Sequence, residues 1–230
     1  MEVNEAIRGR RSIRSFKSDP IPRKLLEEML DTCRWAPSAS NTQAWEFAVL
    51  GGKAIDEVKA RIAEKVEAEW DTDTLNFRNI NPDIPYPVLD EPYRQRKIDT
   101  RNRIDSRQFP AGTEALDHKR EAYRLNGARF HGAPNAIIIY TEKYLCPKAI
   151  LDIGIIAQTI ALAAHARGLD TCLMMMPLLW PEIVREPLGL PESKFMALSI
   201  AIGYPDTEAL VNSVERVREP LDTFTHWHGL

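Results

Sequence analysis

Five consecutive residues near the start of the chain, Arg10-Arg11-Ser12-Ile13-Arg14, carry the first candidate chemistry. The planar guanidinium fork donates two parallel hydrogen bonds, which is the geometry a phosphate group accepts. Arg10 and Arg14 stand four apart and share a face where the turn is helical. A second pair, Arg216 and Arg218, precedes Glu219-Pro220-Leu221. Together the two clusters could hold one phosphate from both sides. Taken singly, each also reads as a solvated basic turn. No GxxxxGK[ST] or GxGxxG loop occurs, so neither a P-loop nor a Rossmann dinucleotide site accounts for them.

The stretch Ala36-Pro37-Ser38-Ala39-Ser40-Asn41-Thr42-Gln43-Ala44-Trp45 gathers hydroxyl and amide groups between a helix and a strand. Such groups cap and turn a backbone. They also suit hydrogen bonding to the edge of a flat polar ring, with Pro37 and Trp45 lining the cavity. Other chemistry-bearing residues carry less. His226-Trp227-His228 lacks a third ligand nearby and reads as an exposed tail feature, so no metal site is expected. His165 reads as a satisfied core or edge histidine. Met174-Met175-Met176 could serve as adaptable core packing. Cys33, Cys146 and Cys172 are too few and scattered for a disulfide framework, and no CxxC pair suggests zinc.

The elements that must position these residues form one 230-residue domain in this reading. Lys plus Arg number 30 against 33 Asp plus Glu, a net charge of −3 that argues against a nucleic-acid partner. The N-terminus lacks the apolar core of a secretory signal. The longest apolar run, Ala149 to Ala166, is broken by Asp152, Gln158 and His165, and suits a buried helix better than a membrane span. A cytoplasmic protein without a membrane partner is the expectation.

Apolar spacing predicts helices at Val3–Gly9, from Pro22 to Pro37, at Ala54–Trp70, Ala149–Arg167 and Pro181–Glu186. Strands are expected at Trp45–Leu50, Asn135–Tyr140, Leu169–Met176 and Lys194–Gly203, giving a layered α/β or α+β domain. Residues 71–130 differ. Four prolines follow Asn81, and from Glu91 to His131 ten Lys/Arg face six Asp/Glu. This block reads as an insertion, lid or arm. Its aromatic and cationic groups, Tyr86, Tyr93, Arg94, Phe109 and Tyr123, could contact a planar or carboxylate-bearing acceptor, with Tyr93 and Arg94 as the substrate candidates. The tail from Asp206 to Leu230 shows no apolar face for the same core and is expected to pack on a partner.

In order along the chain, RRSIR, APSASNTQAW, LDIGIIAQTIALAAHARGLDT, IAIGYPD and RVREPLD resemble the nitroreductase family of flavoproteins. The resemblance covers most of the chain outside about residues 71–130. It implies an α+β, three-layer fold with a mixed central sheet flanked by helices, and an intertwined homodimer with FMN at the subunit interface. It also implies that Arg10, Arg11, Ser12 and Arg14 hold the FMN phosphate and ribityl chain, completed by Arg216 and Arg218. Pro37, Ser38, Ser40, Asn41 and Gln43 would reach the flavin of the opposite subunit. Main-chain N–H groups of Met174, Met175 and Met176 would lie beside the flavin N5 and pyrimidine edge. Chemistry would then sit on FMN, with no catalytic side chain. NADH or NADPH would be the reductant, and nitroaromatics or quinones the acceptors, in ping-pong alternation. A reductive dehalogenase or ene-type reductase on the same scaffold, or a non-enzymatic flavin- or nucleotide-binding module, are the alternatives. Two departures stand out: methionines where some members place an acidic residue beside N5, and the long middle segment.

Overall fold

The computed structural model describes residues 1–68, 88–109, 125–146 and 148–230. Tyr86, Tyr123 and most of the 71–130 insertion therefore lie outside the described residues. Four strands, β1 (Glu46–Gly51), β2 (Asn135–Glu142), β3 (Asp170–Met174) and β4 (Lys194–Gly203), form one sheet in the order β1-β2-β4-β3. Every pair of these strands is antiparallel. The expected mixed sheet is thus antiparallel among its described strands, and parallel pairing is confined to the isolated Ser12–Thr171 bridge.

Around the sheet lie helices α1 (Val3–Gly9), α2 (Arg23–Cys33), α3 (Lys53–Ala68), α4 (Tyr93–Gln108), α5 (Lys148–His165) and α6 (Pro181–Arg185). Strand side chains alternate, so β2 serves two cores at once. Ile137 and Ile139 join Leu26 and Met29 of α2 and Ile153, Ile156 and Ile160 of α5. Ala136, Ile138 and Tyr140 join Ile55, Val58, Ile62 and Val66 of α3. Helices on both faces of one sheet make the three-layer α+β architecture. Each of these fully buried branched side chains contributes roughly 1.5–3 kcal/mol by leaving water. The two cores fix where every loop emerges.

Two elements depart from expectation. Helix α5 is apolar all round, yet only one side is covered: Ile150 and Leu151 are 44% and 73% exposed on the single chain. By length and composition α5 is also the one described helix apolar enough to cross a membrane, but its other side, Ile153, Ile156 and Ile160, is core. The second departure is α4, a regular helix inside the polar block. Its sole buried residue is Ile104, so apolar spacing could not reveal it. Same-face polar pairs support it instead, Gln95 with Asp99 and Arg101 with Asp105.

Candidate functional site

The arginine loop lies along β3, an edge strand of the sheet. Ser12 bridges Thr171, and the Ile13 N–H donates to Thr171 O at 3.0 Å. The Ile13 side chain is 2% exposed in the core. This burial sets the register and leaves Ser12 and Arg14 on the outer side. There they line a cavity of about 150 Å3 with Arg10 and Arg11. A second wall comes from the tail, with Asn212, Glu215, Arg216 and Arg218. The third wall is α4, which contributes Thr100, Arg103 and Ile104. Six arginines thus line the cavity with a single carboxylate, Glu215, while Asp170 acts on Arg10, Arg11 and Arg216 from outside the lining.

Hydrogen bonding to backbone holds several guanidiniums in place. Arg11 Nη1 donates to Asn212 O at 2.5 Å and Arg14 Nη1 to Ser12 O at 3.2 Å. Arg216 Nη1 donates to Gly9 O at 3.3 Å and also to Arg10 O, covering the C-terminal end of α1. Gly9 is needed there, because a Cβ would run into His165 Nε2. His165 Nδ1 in turn lies 2.9 Å from Asp170 Oδ1, so His165 is the satisfied histidine its sequence context suggests. Burial pushes the Asp170 carboxyl up, against the opposing pull of His165, Arg11 and Arg10. Burial, with Arg11, Arg218 and Arg10 close by, holds Arg216 below the ordinary arginine range. Arg10 Nε is buried without a partner. A half-exposed cluster of like charge with one buried, unpaired donor is stabilised by an anion, and a phosphate fits this one.

Asn212 holds the first two walls together. Its Oδ1 accepts the Arg14 N–H at 2.7 Å, and its Nδ2 donates to Ser15 O and Asp206 O, each at 2.8 Å. Around Asn212 the tail is thus held to its own chain, while Leu221, Phe224 and Trp227 further along stay exposed, as expected of a segment with no apolar face for this core. Polar bonds rather than an apolar face attach it, a signal that hydrophobic spacing does not carry.

The 37–43 loop is separate from the cavity. Ser40, Asn41 and Gln43 all have positive φ, at 54°, 54° and 48°. Each such residue costs roughly 1–2 kcal/mol, so the surroundings must hold the loop in shape. Ser38 Oγ accepts the Gln43 N–H at 2.9 Å, and Gln43 Nε2 donates to Asn41 O and Oδ1. Asp152 of α5, 2% exposed, accepts the Ala39 N–H at 3.1 Å. Asp152→Ala is expected to destabilise the fold by about 1.5–3 kcal/mol, the contribution of a hydrogen bond to a charged group. Amide exchange at residues 39–43 should accelerate. Asp152→Asn keeps an acceptor and should restore most of both. Unchanged exchange in Asp152→Ala would show that the loop holds itself.

A family comparison matches residues 7–204 to the Nitroreductase family. This chain belongs to that family. It is 31% identical over 216 residues to a 4-nitrobenzoate reductase of Nocardioides sp. (strain LMS-CY), covering 94% of this chain and 85% of that protein. Its fold matches the FMN- and NADPH-dependent nitroreductase NfnB of sphigopyxis sp. strain HMH with a TM-score of 0.90, at 26% identity and 100% coverage of both chains. It matches the FMN-dependent NfnB of Mycobacterium smegmatis, solved in complex with NADPH, with a TM-score of 0.86, at 27% identity and 98% and 97% coverage.

As a nitroreductase-family chain, it brings together Arg10, Arg11, Ser12, Arg14, Arg216 and Arg218, while Pro37, Ser40, Asn41 and Gln43 are exposed away from that cavity. Met174 ends β3 and is buried, Met175 is exposed, and Met176 opens a single turn. The Met175 and Met176 N–H groups have no hydrogen-bond partner among the described residues. Tyr93 and Arg94 occupy the exposed first turn of α4 outside the cavity. Arg94 pairs with Glu91 at 2.9 Å, and Arg96 lies over the Tyr93 ring. His226 and His228 are exposed, and the described residues contain no group of three His, Cys, Asp or Glu able to hold a metal. Sequence reasoning missed Asn212, Thr100 and Arg103, which sit in no recognisable motif, and noted Asp152 only as a polar break within the LDIGIIAQTIALAAHARGLDT segment without giving it a role.

Proposed function

We propose that this chain is an FMN-dependent NAD(P)H oxidoreductase that reduces nitroaromatics and quinones as a one-domain cytoplasmic homodimer. The arginine cavity carries this reading: six arginines against one lining carboxylate, with a buried unpaired Arg10 Nε, leave an excess of positive charge and a free donor that suit a phosphomonoester. When bound, FMN supplies the redox chemistry, taking a hydride from NADH or NADPH and then passing it to the acceptor. Arg10, Arg11, Ser12, Arg14, Arg216 and Arg218 hold the phosphate and ribityl chain. The Met174–Met176 N–H groups serve the ring, and Pro37, Ser38, Ser40, Asn41 and Gln43 serve the flavin of the opposite subunit. Tyr93 and Arg94 serve the acceptor.

The dimer is supported by apolar surface left open on the single chain, including Leu151, Trp35 at 80% and Trp227 at 66% exposed. Three free cysteines fit a reducing compartment. The purified protein should be yellow and sediment as a dimer. It should bleach anaerobically with NADPH or NADH and recolour when a nitroaromatic is added. Flavin that never bleaches would reduce the reading to a binding module. Colourless protein that FMN cannot reconstitute would end it.

A further inference from the structure

Helix α4 belongs to the insertion, yet it walls the arginine cavity. Thr100, Arg103 and Ile104 share one helical face; Ile104, 3% exposed, anchors it, Arg103 is half-buried and Thr100 stands exposed at the cavity rim. Outside contacts hold the helix to the tail that carries Arg216 and Arg218. Arg96 pairs with Glu219 at 3.3 Å and lies over the Phe224 ring at 5.8 Å. Arg94 pairs with Glu91 and Arg101 with Asp105, while Arg107 stands exposed. The Arg103 guanidinium has no such partner among the described residues and faces the other five arginines of the cavity. A helix that brings a sixth cation into such a cluster gains by doing so only if an anion is shared.

We propose that Arg103, with Thr100 beside it, is a phosphate-binding residue supplied by the insertion. Helix α4 is then the third wall of the FMN phosphate site and governs cofactor retention. This rests on the FMN reading above and extends it to a segment outside the motif series. Arg103 donates to the phosphate oxygens from the side opposite the arginine loop, and the Thr100 hydroxyl adds one donor.

The test compares FMN with riboflavin, which lacks the phosphate, by fluorescence titration of the deflavinated protein. Arg103→Ala should weaken FMN roughly 10- to 150-fold, the factor one charge-assisted hydrogen bond represents. Riboflavin affinity should stay put, Arg103→Lys should recover part of the loss, and Arg107→Ala, on the exposed side of α4, should bind both ligands normally. Normal FMN binding by Arg103→Ala, with loss in Arg14→Ala, would overturn the role of α4 and leave the phosphate site standing. Equal loss of both ligands would mark Arg103 as merely structural and overturn it too. Wild-type protein that binds FMN no better than riboflavin would instead sink the phosphate reading itself.

Discussion

Asn212→Ala is expected to strip FMN from the protein as thoroughly as loss of a phosphate-facing arginine. Its side chain makes three hydrogen bonds, to the Arg14 N–H, Ser15 O and Asp206 O, and it is 8% exposed. At about 1 kcal/mol each, they contribute about 3 kcal/mol to seating the tail against the arginine loop. A site whose competent arrangement is rarely populated binds more weakly in proportion to that population. A loss of about 3 kcal/mol therefore becomes roughly 100-fold in FMN affinity. Asn212→Asp separates position from charge. It keeps an acceptor for the Arg14 N–H but loses both donors and sets a carboxylate among the phosphate ligands, so its FMN affinity should fall below that of Asn212→Ala. Titration of both variants with FMN, alongside their apo melting temperatures, checks this. Wild-type FMN affinity in Asn212→Ala would show that the two walls hold without it.

That residue illustrates what sequence could and could not supply. Strand β4, Lys194–Gly203, was legible to the residue because a long apolar run ends at a glycine. The arginine loop was legible because its spacing is local. Asn212 binds Ser15 and Arg14 across nearly two hundred residues, and one asparagine in a polar tail leaves no period. Helix α4 was hidden for a related reason. Its single buried residue gives no stripe, and its order comes from charge pairs and from Glu219 far along the chain. The resemblance implied a mixed sheet, whereas every described strand pair is antiparallel. Within the described strands, only the Ser12–Thr171 bridge runs parallel. The strained 37–43 loop was visible as composition, while its three positive-φ residues and its Asp152 anchor were not.

Mild acid is expected to cost the apo-protein stability through His131. This residue is 8% exposed, sits at φ 55° just before β2, and has a buried Nδ1 without a partner. Burial, aided by the nearby positive charge of Arg14, pushes its pKa from 6.5 down to about 4. The folded state keeps the ring neutral while the unfolded chain protonates it below about pH 6.5. Stability is then fully present above pH 6.5 and is lost as pH falls toward 4. The slope is about 1.4 kcal/mol per pH unit inside that window, and the whole window is worth about 3 kcal/mol. Against a net stability of roughly 5–15 kcal/mol, that is a large share. Asp170 acts with the opposite sign: burial raises its pKa, so it adds stability as pH falls and partly offsets the His131 loss. Urea unfolding of the apo-protein at pH 7.5, 6.0 and 5.0 should show a falling midpoint. The His131→Gln variant, which cannot titrate, should flatten that fall. A bound phosphate beside Arg14 offsets part of the repulsion, so FMN should also make the profile shallower. Parallel profiles for wild type and His131→Gln would place the acid sensitivity elsewhere in the chain.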